Sequence, residues 1–247
     1  MTSAQYFRAS REPRYSVLFA LPLLLLYEGL SVALSGSSMA GVRNGADVLL
    51  KTLFVGVGGR YGLLAFGVAL LGTGAYIVWR DSRAAAAPVV PRVFGLMFVE
   101  SLVYAAVFGQ VVAFLTAQLL GAGHLGVALA AQSTLERLPL GTQLVVSLGA
   151  GIYEELLFRV LLVSGLLFVG VRAGWSKKVA IAVAIVGSAL IFSGFHYIGP
   201  FGDALTAPSF TFRALAGLLL SGLYVTRGFG IAAWTHALYD VGLSLLA

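Results

Sequence analysis

The 247-residue chain contains no cysteine, which excludes disulfides, thiol catalysis and cysteine-ligated metals. Charge is scarce as well: 11% of residues, against about a quarter in a soluble domain. Only three histidines and ten Asp and Glu side chains are on hand for proton transfer or metal binding. The basic residues never form a run, so the net charge of +6 reads as topology signals at a membrane surface and not as a nucleic-acid interface. No Gly-x-Ser-x-Gly points to a serine hydrolase, and no His-Glu-x-x-His points to a zinc peptidase. Gly199-Pro200-Phe201-Gly202-Asp203 is one residue too long for the Gly-x-Gly-Asp of aspartyl intramembrane proteases, and it precedes Tyr239-Asp240 instead of following it. No internal repeat is found, which removes the usual sequence signature of a transporter.

What the chain does have is apolar length. Hydrophobic residues make up 59%, and mean hydropathy is +0.94. A bilayer-crossing helix needs about 20 apolar residues. Such stretches occur near 15–36, 61–79, 93–121, 139–170, 178–197, 209–226 and 228–246. The expectation is an all-α polytopic membrane protein forming one transmembrane domain over 1–247, with about seven to eight spans and a polar cavity between helices of the C-terminal half. Residues 41–59 carry Arg43, Asp47 and Lys51 and read as an interfacial or re-entrant piece, with an extra span as the alternative. The N-terminal Arg8, Arg11 and Arg14 precede an apolar run too long for a signal peptide, so that run reads as a retained span.

Arg8, Arg11, Arg14, Arg80, Arg83, Arg92, Arg172, Lys177 and Lys178 fall on one side if seven spans alternate, which predicts a cytoplasmic N-terminus. Arg43, Lys51 and Arg60 break that pattern. Missing cysteine, Gly-rich spans and compact length fit a bacterial inner membrane.

Against this background three polar groups stand out. Glu154 and Glu155 lie in Gly151-Ile152-Tyr153-Glu154-Glu155-Leu156-Leu157-Phe158-Arg159, inside an apolar run. A charge at the centre of a membrane helix costs roughly 2.5–3.5 kcal/mol on insertion scales, so packing alone does not place it there. Glu155 and Arg159 are four apart on one helix face and can neutralise each other, which leaves Glu154 as the spare carboxylate and candidate base. Phe192-Ser193-Gly194-Phe195-His196 ends one span, and His236 and Asp240 share a face within the last. Ser147 and Gly151 share a face with Glu155, and Gly217 pairs with Ser221, spacings that allow close helix contact. The third histidine, His124, sits in a Gly-rich loop and reads as inert. Glu28 and Glu100 read as ion-pair partners or cavity lining, with Arg213 one available cation.

Glu154-Glu155-x-x-x-Arg159, Phe192-x-x-x-His196 and His236-x-x-x-Asp240, in that order, resemble the three motifs of the CAAX protease and bacteriocin-processing (CPBP, or ABI) family, which includes the Rce1-type CAAX prenyl endopeptidases. The likeness covers roughly residues 139–247. It implies a glutamate-dependent intramembrane endopeptidase without a cofactor, acting on a membrane-anchored protein or peptide in the lipid bilayer. By that likeness Glu154 matches the water-activating residue, His196 its partner, Glu155 and Arg159 the supporting pair, and His236 the group that polarises the scissile carbonyl.

The CAAX endopeptidases carry Asn where this chain has Asp240. Asn can donate to an oxyanion and an ionised Asp cannot, so Asp240 must either be protonated or orient and charge His236, and the second is the expectation. The same substitution opens a minority alternative in which Glu154, His196, His236 and Asp240 hold zinc. Two non-peptidase alternatives remain: a non-catalytic immunity or scaffold protein of the same fold, and a proton-coupled transporter using Glu154 and His236 as a relay.

Overall fold

Helices are the only regular secondary structure among the described residues, as lipid demands of a backbone whose polar groups must be satisfied internally. The computed structural model describes residues 1–34, 43–85, 87–121, 138–199 and 202–246. His124 and most of the Gly121–Pro139 loop lie outside them, as do Pro200 and Phe201.

The order is α1 (Ser3–Ala9), α2 (Pro13–Leu34), α3 (Gly45–Gly58), α4 (Gly62–Ala84) and α5 (Pro91–Leu120), then a helical rod over 140–172, then α8 (Lys177–Phe195), α9 (Ala207–Arg227) and α10 (Phe229–Leu246). The rod is α6 (Leu140–Gly149), two π-helical segments (Ala150–Glu154 and Leu156–Val163) and α7 (Ser164–Arg172). Local chemistry sets several of these starts and stops. Ser176 and Thr206 cap α8 and α9 through their side chains, and Pro91 opens α5. Gly121, at φ +59°, ends α5 in the left-handed conformation that favours glycine.

α10 is the central element, packed against α2, α5, α6, α9 and the first π segment. Tyr15, Phe19, Val93, Met97 and Ile231 join α2, α5 and α10, while Leu23, Tyr27, Leu50, Phe66, Tyr153 and Ala237 fill the space between α2, α3, α4, the rod and α10. Small residues set the closest approach. A Cβ on Gly151 would lie 2.5 Å from Ala237 Cβ and 2.6 Å from the Ala233 carbonyl oxygen, and one on Gly217 would lie 3.0 Å from Ala189 Cα. Gly151→Ala is therefore expected to cost about 1–3 kcal/mol of overpacking. Thermal unfolding in detergent measures it, and a variant as stable as the parent would contradict this helix contact.

Among the described residues five stretches are long and apolar enough to cross a membrane: 13–34, 45–84, 91–120, 177–195 and 207–227. The expected seven to eight are not reproduced by that count. The rod is broken by its π segments, and α10 carries His236 and Asp240, so the site's own polar residues depress the apolar signal of the helices that hold it. The 45–84 stretch is a hairpin. Gly59, at φ +53°, turns the chain, Phe54 and Phe66 meet at 5.3 Å, and a Cβ on Gly62 would strike Val55 Cα at 2.4 Å. α3 itself has 14 residues, about 21 Å of rise against a hydrocarbon core of about 30 Å. It is too short to cross by itself.

The acids Glu28, Asp47 and Glu100 are all partnered. Glu28 meets Arg43 Nη1 at 3.1 Å, Lys51 Nζ at 3.0 Å and the Tyr153 hydroxyl at 2.7 Å. Asp47 meets the same two cations at 3.0 and 2.7 Å and accepts from Tyr27 at 2.7 Å. Two carboxylates and two cations make a neutral cluster fixing α3 to α2 and the rod. Arg43 and Lys51, the residues that break the charge pattern, are both held in ion pairs. Glu100 pairs with Arg227 at 2.6 Å and accepts from Tyr6, which fastens α1 to α5 and α9. Arg213 pairs with Asp203. The suggested pairing of Glu28 or Glu100 with Arg213 is thus corrected: each acid has another cation beside it.

Candidate active site

Glu154 and Glu155 sit at the junction of the two π segments. π-turns are rare and open the helix relative to an α turn, and here one falls where the carboxylates must face two different neighbours. The pairing of Glu155 and Arg159 survives this winding: Glu155 Oε1 lies 3.0 Å from Arg159 Nη1, with both side chains fully buried. Arg159 also lies 4.5 Å above the Phe192 ring, a cation–π contact.

Glu155 has a second partner that helix spacing did not reveal. Its Oε1 accepts from His236 Nδ1 at 2.8 Å. The Gly151 contact brings α10 close enough for this. The other ring nitrogen, Nε2, faces Asp240 Oδ2 at 3.5 Å, longer than a hydrogen bond. Asp240 was expected to be the group that orients His236. The geometry divides that work: Glu155 fixes the ring through Nδ1, and Asp240 adds a charge on the Nε2 side.

Glu154 is buried and makes no contact with Arg159 within ion-pair distance among the described residues. Its Oε1 accepts from Asn44 Nδ2 at 2.8 Å, and its Oε2 faces His196 Nε2 at 4.0 Å. His196 caps α8, and its Nδ1 donates to the Phe192 carbonyl at 2.9 Å. A carbonyl only accepts, so the Nδ1 proton is fixed and the neutral ring presents the Nε2 lone pair to Glu154. Exposure is graded across the cluster. Asp240 and His196 side chains are 27% and 24% exposed, Glu154 is 9%, and Glu155 and Arg159 are covered. The cluster is therefore least covered on the His196 and Asp240 side. A separate apolar cavity of about 1070 Å³, lined by Leu21, Leu24, Phe54, Phe66, Ile152 and Leu156 among others, lies on the opposite face of the rod and contains none of these residues.

All seven residues singled out in sequence, Glu154, Glu155, Arg159, Phe192, His196, His236 and Asp240, gather in one cluster built by the rod, α8 and α10. Asn44 was missed. It precedes an apolar helix, which marks a cap, but nothing in its spacing connects it to a glutamate 110 positions later. Among the described residues no group of three or more His, Asp or Glu side chains is arranged to hold a metal ion.

A family model described as type II CAAX prenyl endopeptidase Rce1-like matches residues 136–242, a region that holds every residue of the cluster except Asn44. No curated protein and no solved structure matches the chain. The chain is an integral membrane protein whose C-terminal region is CAAX-protease-like.

Proposed function

We propose, from that family match as premise, that the protein is an intramembrane endopeptidase that hydrolyses a peptide bond of a membrane-anchored protein or peptide with water activated by Glu154. The observation that carries the reading is the Glu154–His196 pair. A buried carboxylate oxygen with no hydrogen bond of its own among the described residues faces an imidazole lone pair across 4.0 Å. A water entering between them donates one proton to Glu154 Oε2 and the other to His196 Nε2, which leaves its oxygen lone pairs free for attack. Both acceptors are fixed beforehand, Glu154 by Asn44 and His196 by the Phe192 carbonyl.

As the water oxygen bonds to the scissile carbon, Glu154 takes the proton and the carbonyl oxygen becomes an oxyanion. Three carboxylates and one guanidinium leave the cluster short of positive charge, which a protonated His236 supplies. Its Nε2–H is not committed to Asp240 at 3.5 Å and is available to the oxyanion. Glu154 then returns the proton to the leaving nitrogen, the C–N bond breaks as the oxyanion collapses, and the products are an amine and a carboxylic acid, which ionises by losing its proton to water. No step needs a metal. The basic residues favour a cytoplasmic N-terminus, and the missing cysteine, Gly-rich spans and compact length favour a bacterial inner membrane as the setting.

The test is reconstitution of the purified protein into phospholipid vesicles with a panel of single-span fluorogenic peptides and a chelator. Cleavage of a panel member supports the reading; intact peptides throughout would contradict it. In the same assay Asp240→Asn is expected to keep residual turnover, reduced roughly ten- to hundredfold by loss of charge beside His236. Metal analysis accompanies it. Stoichiometric metal in the parent, lost together with activity in Asp240→Asn, would establish the zinc alternative in its place.

A further inference from the structure

The family match begins at residue 136, yet the hydrogen bond on Glu154 comes from residue 44. We infer that Asn44, carried by the N-terminal half, is the positioning residue that selects which oxygen of Glu154 meets the water; this rests on the hydrolytic reading above.

Asn44 is 2% exposed and is built into its place from both ends of its side chain. Its Oδ1 accepts from the Ala46 backbone N–H at 2.8 Å, as the N-cap of α3. That N–H can only donate, so the amide oxygen is assigned to the cap and Nδ2 to Glu154 Oε1. The cap thus fixes the amide rotamer, and the rotamer aims a donor at one carboxylate oxygen. The remaining oxygen, Oε2, is turned toward His196. Space for this comes from Gly149, where a Cβ would lie 2.6 Å from both Asn44 Cβ and the Tyr27 ring. The Glu28, Arg43, Asp47 and Lys51 cluster immobilises the segment on either side of Asn44. A glutamate can rotate about its last bond. Without the donor both oxygens compete for the water, and the attack geometry is no longer unique.

Capping and positioning separate by substitution. Ser caps a helix about as well as Asn but is too short to donate to Glu154, so Asn44→Ser keeps the fold and removes the donor. Asn44→Asp keeps both cap and shape and sets an acceptor against the carboxylate. Cleavage of a fluorogenic peptide hydrolysed by the parent is measured for kcat and KM, alongside the melting midpoint. Independently of activity, labelling of Glu154 by dicyclohexylcarbodiimide is followed by peptide mass mapping. That reagent modifies protonated carboxyls in apolar surroundings, and a carboxylate that loses a donor takes up a proton more readily.

The expected result for Asn44→Ser is an unchanged midpoint and KM, a kcat at least tenfold lower, and severalfold faster labelling of Glu154. Asn44→Asp is expected to lose more kcat and to label faster still. Labelling and kcat equal to the parent in both variants overturn the inference, as does a loss of kcat that only tracks loss of folded protein with labelling unchanged. If the parent cleaves nothing while labelling still responds to Asn44, the hydrolytic reading fails and the hold of Asn44 on Glu154 stands.

Discussion

Glu154→Gln is expected to abolish peptide cleavage while leaving the protein folded and monodisperse in detergent. The glutamine oxygen can still accept from Asn44 in the place of Oε1, and its amide occupies the position of Oε2 opposite His196. Packing is preserved because the change is nearly isosteric. An amide nitrogen cannot take a proton from water, so the general base is gone. Positioned bases contribute roughly 10²–10⁴-fold, and a loss of at least that size, which takes cleavage below detection, with an unchanged melt is the expected signature. A Glu154→Gln protein that cleaves at near-parental rate would remove Glu154 from the role of base.

Arg159→Ala is expected to have the second large effect, on stability and on activity together. Its guanidinium is fully buried, 3.0 Å from Glu155 and stacked above Phe192. Removing one partner of a buried pair leaves the other charge uncompensated, at about 3–5 kcal/mol. Here the orphaned carboxylate is the one that fixes His236 through Nδ1. The damage therefore reaches the ring assigned to the oxyanion, and both the melting midpoint and kcat should fall. An Arg159→Ala protein as stable as the parent would show that the pair contributes little to the fold.

The pairing of Glu155 with Arg159 was legible because it lies within one helix, where a spacing of four predicts contact. So was the isolation of Glu154 from that arginine. The convergence of the three motifs rested on family likeness, since sequence alone does not say which helix faces meet. The second partner of Glu155, His236, was hidden for that reason: it depends on Gly151 admitting α10, and Gly151 read only as a small residue. Asn44 was hidden more deeply. Residues 41–59 looked like a polar interruption because their charges were counted toward topology, whereas in the structure Arg43, Asp47 and Lys51 form a neutral cluster with Glu28 of α2 and Asn44 beside them reaches Glu154. In sequence 228–246 reads as a span, whereas the helix there carries His236 and Asp240 and falls outside the five apolar stretches found among the described residues.

The central claim is a water activated by Glu154, and its most direct measurement is cleavage of a vesicle-embedded single-span peptide in ¹⁸O-labelled water, with chelator present throughout. The account predicts that the parent releases a fragment whose new C-terminal carboxyl carries one heavy oxygen, and that Glu154→Gln, equally folded, releases none. The same labelled fragment from Glu154→Gln, or cleavage by the parent that stops when metal is withdrawn, would contradict it.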